Sequence, residues 1–360
     1  EILDAAGTKI AGNFDAIRID PGKEDRFTVS MWLENINLWD IDYPYMYTAR
    51  FNVYEGEETI PEKLRDSIDI PFGIRAIEFT RDNGFFLNGK RLKIQGVALH
   101  HDAGLLGAAV PERVWERRLE KLREMGCNSI RTAHSAAAPE LLDMCDRMGL
   151  MVFDEFHDEW QIRKGKNHSQ THFKLSKTDD ARYGASQYFD EWGYKNTVAS
   201  IRRDRNHPSV IIWGIGNEIP EQGQPGGELI VRKLTELCHV EDPTRPTMTA
   251  NNMIHNETPG QQTTVEFLEA SDLIGYNHIA SWGTVYRRLY SVDKAAHPDW
   301  KVMGSENANL FGYRGDYILE PIPASHNKPY YMSMLDPEEL LKFTKLHDYV
   351  MGDYIWSGID

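Results

Sequence analysis

The sequence has only three cysteines in 360 residues: Cys127, Cys145 and Cys238. They are scattered, odd in number and without a CxxC pair, so they do not form a disulfide framework or a zinc site. We therefore expect core thiols. The sequence also lacks an apolar run long enough to cross a bilayer, which excludes a membrane-spanning protein.

Positive charge is scarce as well. Lys and Arg number 40 against 55 Asp and Glu, which gives a formal net charge of −15. A nucleic-acid partner requires a basic face, so this balance argues against one. The hydrophobic share of 41% is that of a folded globular chain. We expect a soluble protein, periplasmic or cytoplasmic in a bacterium, and the sequence does not separate these compartments.

Aromatic residues, in contrast, are plentiful, with nine Trp and sixteen Tyr. Such side chains fill hydrophobic cores, but they also line sugar-binding clefts. Composition alone leaves both interpretations open.

The chain has two parts with different patterns of apolar and polar residues. Residues 1–84 alternate apolar and polar positions, as in segments 26–33 and 45–54, which predicts a β-sandwich. About five strands are present where an immunoglobulin-like sandwich has about seven, so we expect a partial immunoglobulin-like sandwich. Just beyond, Asn88-Gly89 lies between apolar runs, which is a strong β-hairpin signal.

Residues 85–360 instead alternate short apolar strands with amphipathic helices, which predicts a (β/α)8 TIM barrel that ends after its eighth strand. The clearest helix covers residues 111–126, with Pro111 near its first turn and Gly126 as its stop. An open doubly wound sheet is the alternative, but no GxGxxG follows the first strand. The predicted strands are residues 92–98, 129–132, 151–153, 210–215, 247–250, 273–276, 301–304 and 353–357.

Polar residues follow the predicted strands, where a barrel carries its catalytic groups. A core built from so many polar groups would be costly, so we expect them to form one site. In strand order they are His100, Arg131 and His134, Asp154 and Glu155, Asn217 and Glu218, Asn251, Tyr276 to His278, Glu306, and Trp356 on strand eight.

Two of these residues, Glu218 and Glu306, follow strands four and seven, which face each other across a barrel of eight. Carboxylates projecting inward from them can approach the ~5–5.5 Å separation that a retaining glycosidase requires. Taken singly, each could be an ordinary loop carboxylate. The pair, beside Asn217 and Tyr276, favours catalysis.

Several motifs resemble glycoside hydrolase family 2, and together they cover nearly the whole chain. Trp213-Gly-Ile-Gly-Asn-Glu218 is similar to the acid/base segment of the family, and Gly304-Ser-Glu-Asn307 to its nucleophile segment. The run from Gln95 to Asp102 is similar to the junction into strand one. We expect a fragment that lacks the amino-terminal jelly-roll domain of the family and the end of the barrel. Ala98 departs from the pattern, because many members carry Asn there.

The resemblance implies a retaining exo-β-glycosidase acting on oligosaccharides or glycosides. It assigns Glu306 as nucleophile, Glu218 as acid/base and Asn217 as partner of the sugar 2-hydroxyl. It also implies that Tyr276 holds the nucleophile and that His100, His134, Asp154 and Trp356 line the sugar pocket. We favour β-galactosides, with β-glucuronides or β-mannosides as alternatives. The resemblance is compatible with a homo-oligomer.

A metal site is the main competing interpretation of the clusters His100-His101-Asp102 and His157-Asp158-Glu159. The strand-one His-x-His of metal-dependent hydrolases is missing, so we expect neither a catalytic metal nor a required cofactor. A structural Mg²⁺ touching Glu159 stays open. A catalytically silent carbohydrate-binding barrel is the alternative from another class, and it would have lost one of the two carboxylates that this chain keeps.

Overall fold

The computed structural model describes residues 1–26, 28–55, 63–164, 185–255, 261–279, 289–308 and 330–359. Its strands are β1 Ile2–Leu3, β2 Lys9–Ala11, β3 Tyr47–Tyr54, β4 Leu64–Phe72, β5 Ile77–Thr80, β6 Gly84–Leu87, β7 Lys90–Leu92, β8 Ile94–His100, β9 Ser129–Ala133, β10 Met151–Glu155, β11 Val210–Asn217, β12 Thr247–Asn251, β13 Leu273–Asn277, β14 Val302–Asn307 and β15 Val350–Ile355. Its helices are α1 Glu112–Met125, α2 Pro139–Met148, α3 Tyr194–Asp204, α4 Gly227–Glu241, α5 Val265–Leu268, α6 Ser291–Ala296 and α7 Tyr330–Leu346.

Strands β8 to β15 form a closed, eight-stranded parallel barrel in sequence order. The last strand closes the ring by pairing with the first, as in the register of Ile355 with Val97. The prediction of a TIM barrel is confirmed. Among the described residues, none of the helices has both the length and the hydrophobicity that a membrane crossing needs.

Each barrel strand packs on two faces, because the helices cover the outside of the ring and side chains fill the inside. In β11 all eight residues are buried. Ile212 and Phe153 belong to the cluster inside the barrel, whereas Trp213 and Val152 pack in the cluster between strands and helices. Except at Ile211 and Ile212, which both lie in the cluster inside the barrel at a register shift, successive strand residues face opposite layers, and this alternation decides which polar residues reach the site.

Helix α1 shows how local sequence fixes the outer layer. Pro111 precedes its first residue in an extended conformation, and Gly126 ends it with a left-handed φ of 100° that favours glycine. The helix buries Trp115, Leu119 and Leu122, which lie on one face at helical spacing. The predicted boundaries of residues 111–126 agree with this helix to within one residue.

The amino-terminal part is antiparallel. Strands β1 to β4 form one sheet and β5 to β7 form a second. Strands β6 and β7 are joined at Asn88-Gly89, whose φ angles of 52° and 77° are those of the predicted two-residue hairpin turn. The immunoglobulin-like topology stays a prediction. The boundary predicted between residues 84 and 85 also stays a prediction, and the β5–β6 hairpin spans it.

The strand predicted over residues 26–33 is wrong for its described part, since residues 28–33 form no strand. Trp32 in this segment is 88% exposed. Alternation of apolar and polar residues indicates a strand only when another strand pairs with it, and pairing is a tertiary contact.

Candidate active site

The polar residues at the carboxyl ends of the barrel strands converge. Arg131 of β9, Glu155 of β10, Asn217 of β11, Asn277 of β13 and Glu306 of β14 are linked directly or through one another by hydrogen bonds inside the ring. Glu218 and His278 follow β11 and β13 directly and join the same group. The expectation of one polar site at this rim therefore matches the geometry.

The two predicted catalytic carboxylates lie next to each other. A carboxylate oxygen of Glu218, one of Glu306 and a ring nitrogen of His278 are all within 4.8 Å of one another. This limit on the distance between one oxygen of each group is compatible with the ~5–5.5 Å between the carboxyl groups of retaining glycosidases.

Glu306 is 5% exposed, and its carboxylate is held by the fully buried Arg131. The Arg131 Nη1 donates to its Oε2 at 2.8 Å and to the carbonyl oxygen of Ser305 at 3.0 Å. His134 Nε2 lies 3.7 Å from the same oxygen. These contacts fix the carboxylate orientation and leave its other oxygen, Oε1, on the side of His278.

Arg131 is the centre of the polar network and is fully buried. Its Nη2 donates to Glu155 Oε1 at 2.7 Å and to Asn217 Oδ1 at 2.8 Å. Burial would raise the pKa of Glu155, but the charges of Arg131 and His134 outweigh it and lower that pKa. A buried carboxylate thus stays ionised and holds Arg131 under the site.

Glu218 has a different environment from Glu306. His278 Nε2 lies 2.5 Å from its Oε1, and Lys164 Nζ lies 3.7 Å from its Oε2. Asn277 Nδ2 donates to Oε1 at 3.3 Å. Burial would raise the pKa of Glu218, but the hydrogen bond and charge of His278, with Lys164 and Asn277, lower it to about 2.

The backbone is also unusual here. Glu218 and His278 have φ angles of 46° and 58°, in the left-handed region. Such a conformation costs a residue other than glycine about 1–3 kcal/mol, and it persists only where surrounding contacts hold it. Both residues turn sharply out of their strands, which places their side chains over the end of the barrel.

Asn217 is 2% exposed and is held on two sides. Its Nδ2 donates to Asp158 Oδ1 at 2.9 Å, and its Oδ1 accepts from Arg131 and from Asn277. Lys164 Nζ donates to the same Asp158 oxygen at 2.7 Å. The amide is therefore oriented by a charged pair before any ligand binds.

Three predicted pocket residues, His100, His134 and Trp356, form an aromatic wall. The rings of His134 and Trp356 are stacked with centroids 5.4 Å apart, and His100 meets Trp356 edge-on at 4.8 Å. His134 Nδ1 lies 2.8 Å from Glu155 Oε2, which ties the wall to the polar network. Aromatic surface beside hydrogen-bonding groups suits the apolar faces and hydroxyls of a sugar ring.

Comparison with known proteins identifies the family. Residues 79–297, more than half of the chain, match the family described as "Glycosyl hydrolases family 2, TIM barrel domain". The chain belongs to glycosyl hydrolase family 2. A beta-galactosidase of Bacteroides ovatus is 32% identical over 409 aligned residues, which cover 100% of this chain and 44% of that protein. A beta-glucuronidase of Bacteroides fragilis is 27% identical, over 100% of this chain and 49% of that protein.

A solved structure of another family 2 member, from Bacteroides cellulosilyticus, has a TM-score of 0.77 and 30% identity to this chain. The similarity covers 99% of this chain and 38% of that one. This family 2 chain therefore spans less than half the length of each of these three proteins.

Two residues predicted for this family 2 site, Asp154 and Tyr276, have partners on the outer side of the barrel strands. Asp154 is fully buried and faces outward, where its Oδ1 accepts from the Thr132 hydroxyl and from the backbone N–H of Ala137. Tyr276 is fully buried as well, and its hydroxyl donates to Asp293 at 3.0 Å. Both residues have the outward position in their strands, and their roles in the site stay predictions.

Their neighbours take the expected places. Glu155 follows Asp154 and faces the site, and Asn277 follows Tyr276 and binds Asn217 and Glu218. Sequence reasoning placed Glu155, Asn277, Arg131 and His278 among the polar residues of the expected site but assigned none of them a role, and Lys164 was not among those residues. The signal for the four residues that it did place was their position at or near the ends of strands.

The structural Mg²⁺ predicted at Glu159 stays a prediction, and both carboxylate oxygens of Glu159 have partners in the protein. Its Oε2 accepts from the backbone N–H of Lys164 and its Oε1 from that of Ser186, so both oxygens anchor loop backbone. In the part of the chain that the structure describes, the two groups with the spacing of metal ligands are Asp143, Asp146 and His207, and Glu218, His278 and Glu306. Glu159 belongs to neither group.

The outward position of Asp154 can be tested with Asp154→Asn. Burial, and then the charge of Asp204, raise the pKa of Asp154 to about 8. The free energy that Asp154 contributes to stability is fully present below about pH 4, the pKa of the carboxyl group in the unfolded chain. It is lost as the pH rises through about 8, the pKa in the folded protein. We expect the variant to have unchanged kcat/KM. Its melting temperature should fall less than that of the wild type as the pH rises from about 4 to about 8. A large loss of kcat/KM at unchanged stability would place Asp154 in the pocket.

Proposed function

We propose that this chain carries the active site of a retaining exo-β-glycosidase. The observation that supports the proposal is the closeness of Glu218 and Glu306, because one carboxylate oxygen of each lies within 4.8 Å of one of the other. A pair at this distance suits double displacement, in which one carboxylate bonds to the sugar and the other transfers protons. The two groups have different surroundings: Arg131 donates to Glu306, whereas His278 lies 2.5 Å from Glu218.

In the first step, Glu306 attacks the anomeric carbon while Glu218 gives a proton to the leaving oxygen. In the second step, Glu218 takes a proton from water, and the water oxygen displaces Glu306 from the anomeric carbon. Arg131 holds Glu306 in the attacking orientation through its 2.8 Å hydrogen bond. Asn217, oriented by Asp158 and Arg131, binds the sugar 2-hydroxyl, where contacts strengthen in the transition state.

The substrates we propose are terminal β-galactosides, the class named for the Bacteroides ovatus relative. β-Glucuronides are the second candidate, because a relative of similar coverage is a beta-glucuronidase and because Lys164 Nζ places a cation 3.7 Å from Glu218. A cation at this position favours an anionic ligand.

A panel of nitrophenyl β-galactoside, β-glucuronide and β-mannoside tests this proposal on the full-length protein. We expect kcat/KM to be highest for the galactoside, by about 10²-fold or more, because hydroxyl-binding groups reject sugars that leave them unpaired. NMR should show the β-anomer of the sugar as the first product. A glucuronide preference would select the second candidate. No turnover of any glycoside would favour the silent carbohydrate-binding barrel, and a first-formed α-anomer would exclude retention.

A further inference from the structure

His278 lies between the two catalytic carboxylates. Its Nε2 is 2.5 Å from Glu218 Oε1 and 3.5 Å from Glu306 Oε1. Its backbone N–H donates to the carbonyl oxygen of Glu306 at 2.6 Å. The residue that follows β13 is therefore anchored to the strand that carries the nucleophile, and its ring is directed at the acid/base.

The proton of Glu218 poses a problem for the first step. A general acid must hold a proton, yet Lys164, Asn277 and His278 all stabilise the ionised form of this carboxylate. At neutral pH the free site therefore holds Glu218 as an anion, in accord with its lowered pKa. The proton for the leaving group has to come from a neighbour.

The charged and titratable groups around Glu218 leave one such neighbour. Lys164 lies 3.7 Å away, beyond hydrogen-bond distance, and donates to Asp158 instead. The remaining charged groups of the rim face the nucleophile or the buried network: Arg131 and His134 of the β9 end, Glu155 of β10, and Glu306 itself. Of the described residues, His278 is the titratable group that touches Glu218, and imidazole exchanges protons near neutral pH.

We infer that His278 stores the proton that Glu218 delivers; this inference rests on the function proposed above. The His278–Glu218 pair holds one proton, on Nε2 in the free site. As the bond between the anomeric carbon and the leaving oxygen breaks and the bond to Glu306 forms, the proton passes from Nε2 to Glu218 and on to the leaving oxygen. In the second step the proton of the attacking water returns through Glu218 to Nε2. His278 acts through Glu218 and is a positioning residue.

The test compares His278→Gln with wild-type full-length protein on two leaving groups. Dinitrophenolate leaves without a proton, whereas a methoxide-like alkoxide requires one. We expect kcat/KM for the alkyl glycoside to fall by about 10²–10³-fold and for the dinitrophenyl glycoside by less than about tenfold. The alkaline limb of the pH profile should disappear from the range in which imidazole titrates. The matched control is His239→Gln, which changes a surface histidine paired with Asp272 and should leave both rates unchanged.

Equal losses on both leaving groups in His278→Gln would show a merely structural role and overturn the inference. A measurement independent of activity is the ¹⁵N NMR titration of the His278 ring. It should occur at lower pH in Glu218→Gln than in wild type, because the carboxylate stabilises the imidazolium. An unchanged titration would also overturn the inference. If the wild type hydrolysed no β-glycoside, the proposed function would fail, whereas the NMR titration would still decide whether the pair shares a proton.

Discussion

Replacing Glu306 by Gln should lower kcat of the full-length protein by about 10⁴-fold or more on every β-glycoside, including dinitrophenyl ones. The amide retains the shape of the side chain but cannot bond to the anomeric carbon. Its environment would otherwise persist, because Arg131 can still donate to the amide oxygen. Glu218→Gln should differ by retaining much of its rate on dinitrophenyl glycosides in the first step, since that leaving group needs no acid.

Covalent trapping identifies the nucleophile directly. A 2-deoxy-2-fluoro glycoside with a dinitrophenyl leaving group should label the peptide that contains Glu306, as seen by mass spectrometry. Azide should rescue Glu306→Ala with an α-glycosyl azide as product and Glu218→Ala with a β-glycosyl azide. The control is Glu124→Gln, which changes an exposed carboxylate paired with Lys121 on α1. Near-normal turnover by Glu306→Gln, or label on another residue, would end the nucleophile assignment.

The second large effect concerns stability. Arg131→Met should destabilise the protein by about 3–5 kcal/mol, because it leaves Glu155 and Glu306 buried without their counter-charge. Arg131→Lys should destabilise the protein less than Arg131→Met, because an ammonium group keeps the positive charge. It should still be less stable than the wild type, since one ammonium cannot bond to Glu155, Glu306 and Asn217 together. Urea denaturation followed by circular dichroism measures both. Arg113→Met, at an exposed ion pair with Glu116 and Glu120, should change stability by less than about 1 kcal/mol.

The pH dependence of this loss has a definite sign. Arg131 helps to lower the pKa of Glu155. The stability that this ion pair contributes is therefore present above about pH 4.3, the pKa of Glu155 in the unfolded chain, and is lost as the pH falls through its lower pKa in the folded protein. The difference between wild type and Arg131→Met should therefore be largest near neutral pH and should shrink in acid. A difference that stayed constant down to about pH 3 would mean that packing, and not charge, explains the loss.

Asp154 and Tyr276 show where sequence reasoning reaches its limit. Asp154 and Glu155 are adjacent, as are Tyr276 and Asn277, and in each pair only the second faces the site. A strand buried on one face reveals its orientation by alternation. A barrel strand is buried on both faces, so apolar residues occupy inward and outward positions alike and the orientation is hidden. Register shifts in β11 and β14 hide it further.

The hairpin at Asn88-Gly89 and the helix ending at Gly126 are the opposite case. Both depend on the backbone freedom of residues next to each other in the chain, so their positions follow from local sequence. The segment 28–33 has a strand-like pattern, but a strand needs a partner that local sequence does not supply.

The sequence by itself determined the order of strands and helices, and hence the barrel, and it placed Glu218 and Glu306 at the carboxyl ends of the fourth and seventh barrel strands. The periodicity of apolar residues and the order of the elements can be read from neighbouring residues along the chain, without knowledge of tertiary contacts. Only the tertiary structure decided that Glu155 and Asn277 face inward, that Arg131 binds a carboxylate 175 residues away, and that His278 touches both catalytic groups. These contacts arise when the ring closes, because closure brings distant strand ends within hydrogen-bond distance, and no local pattern encodes that distance.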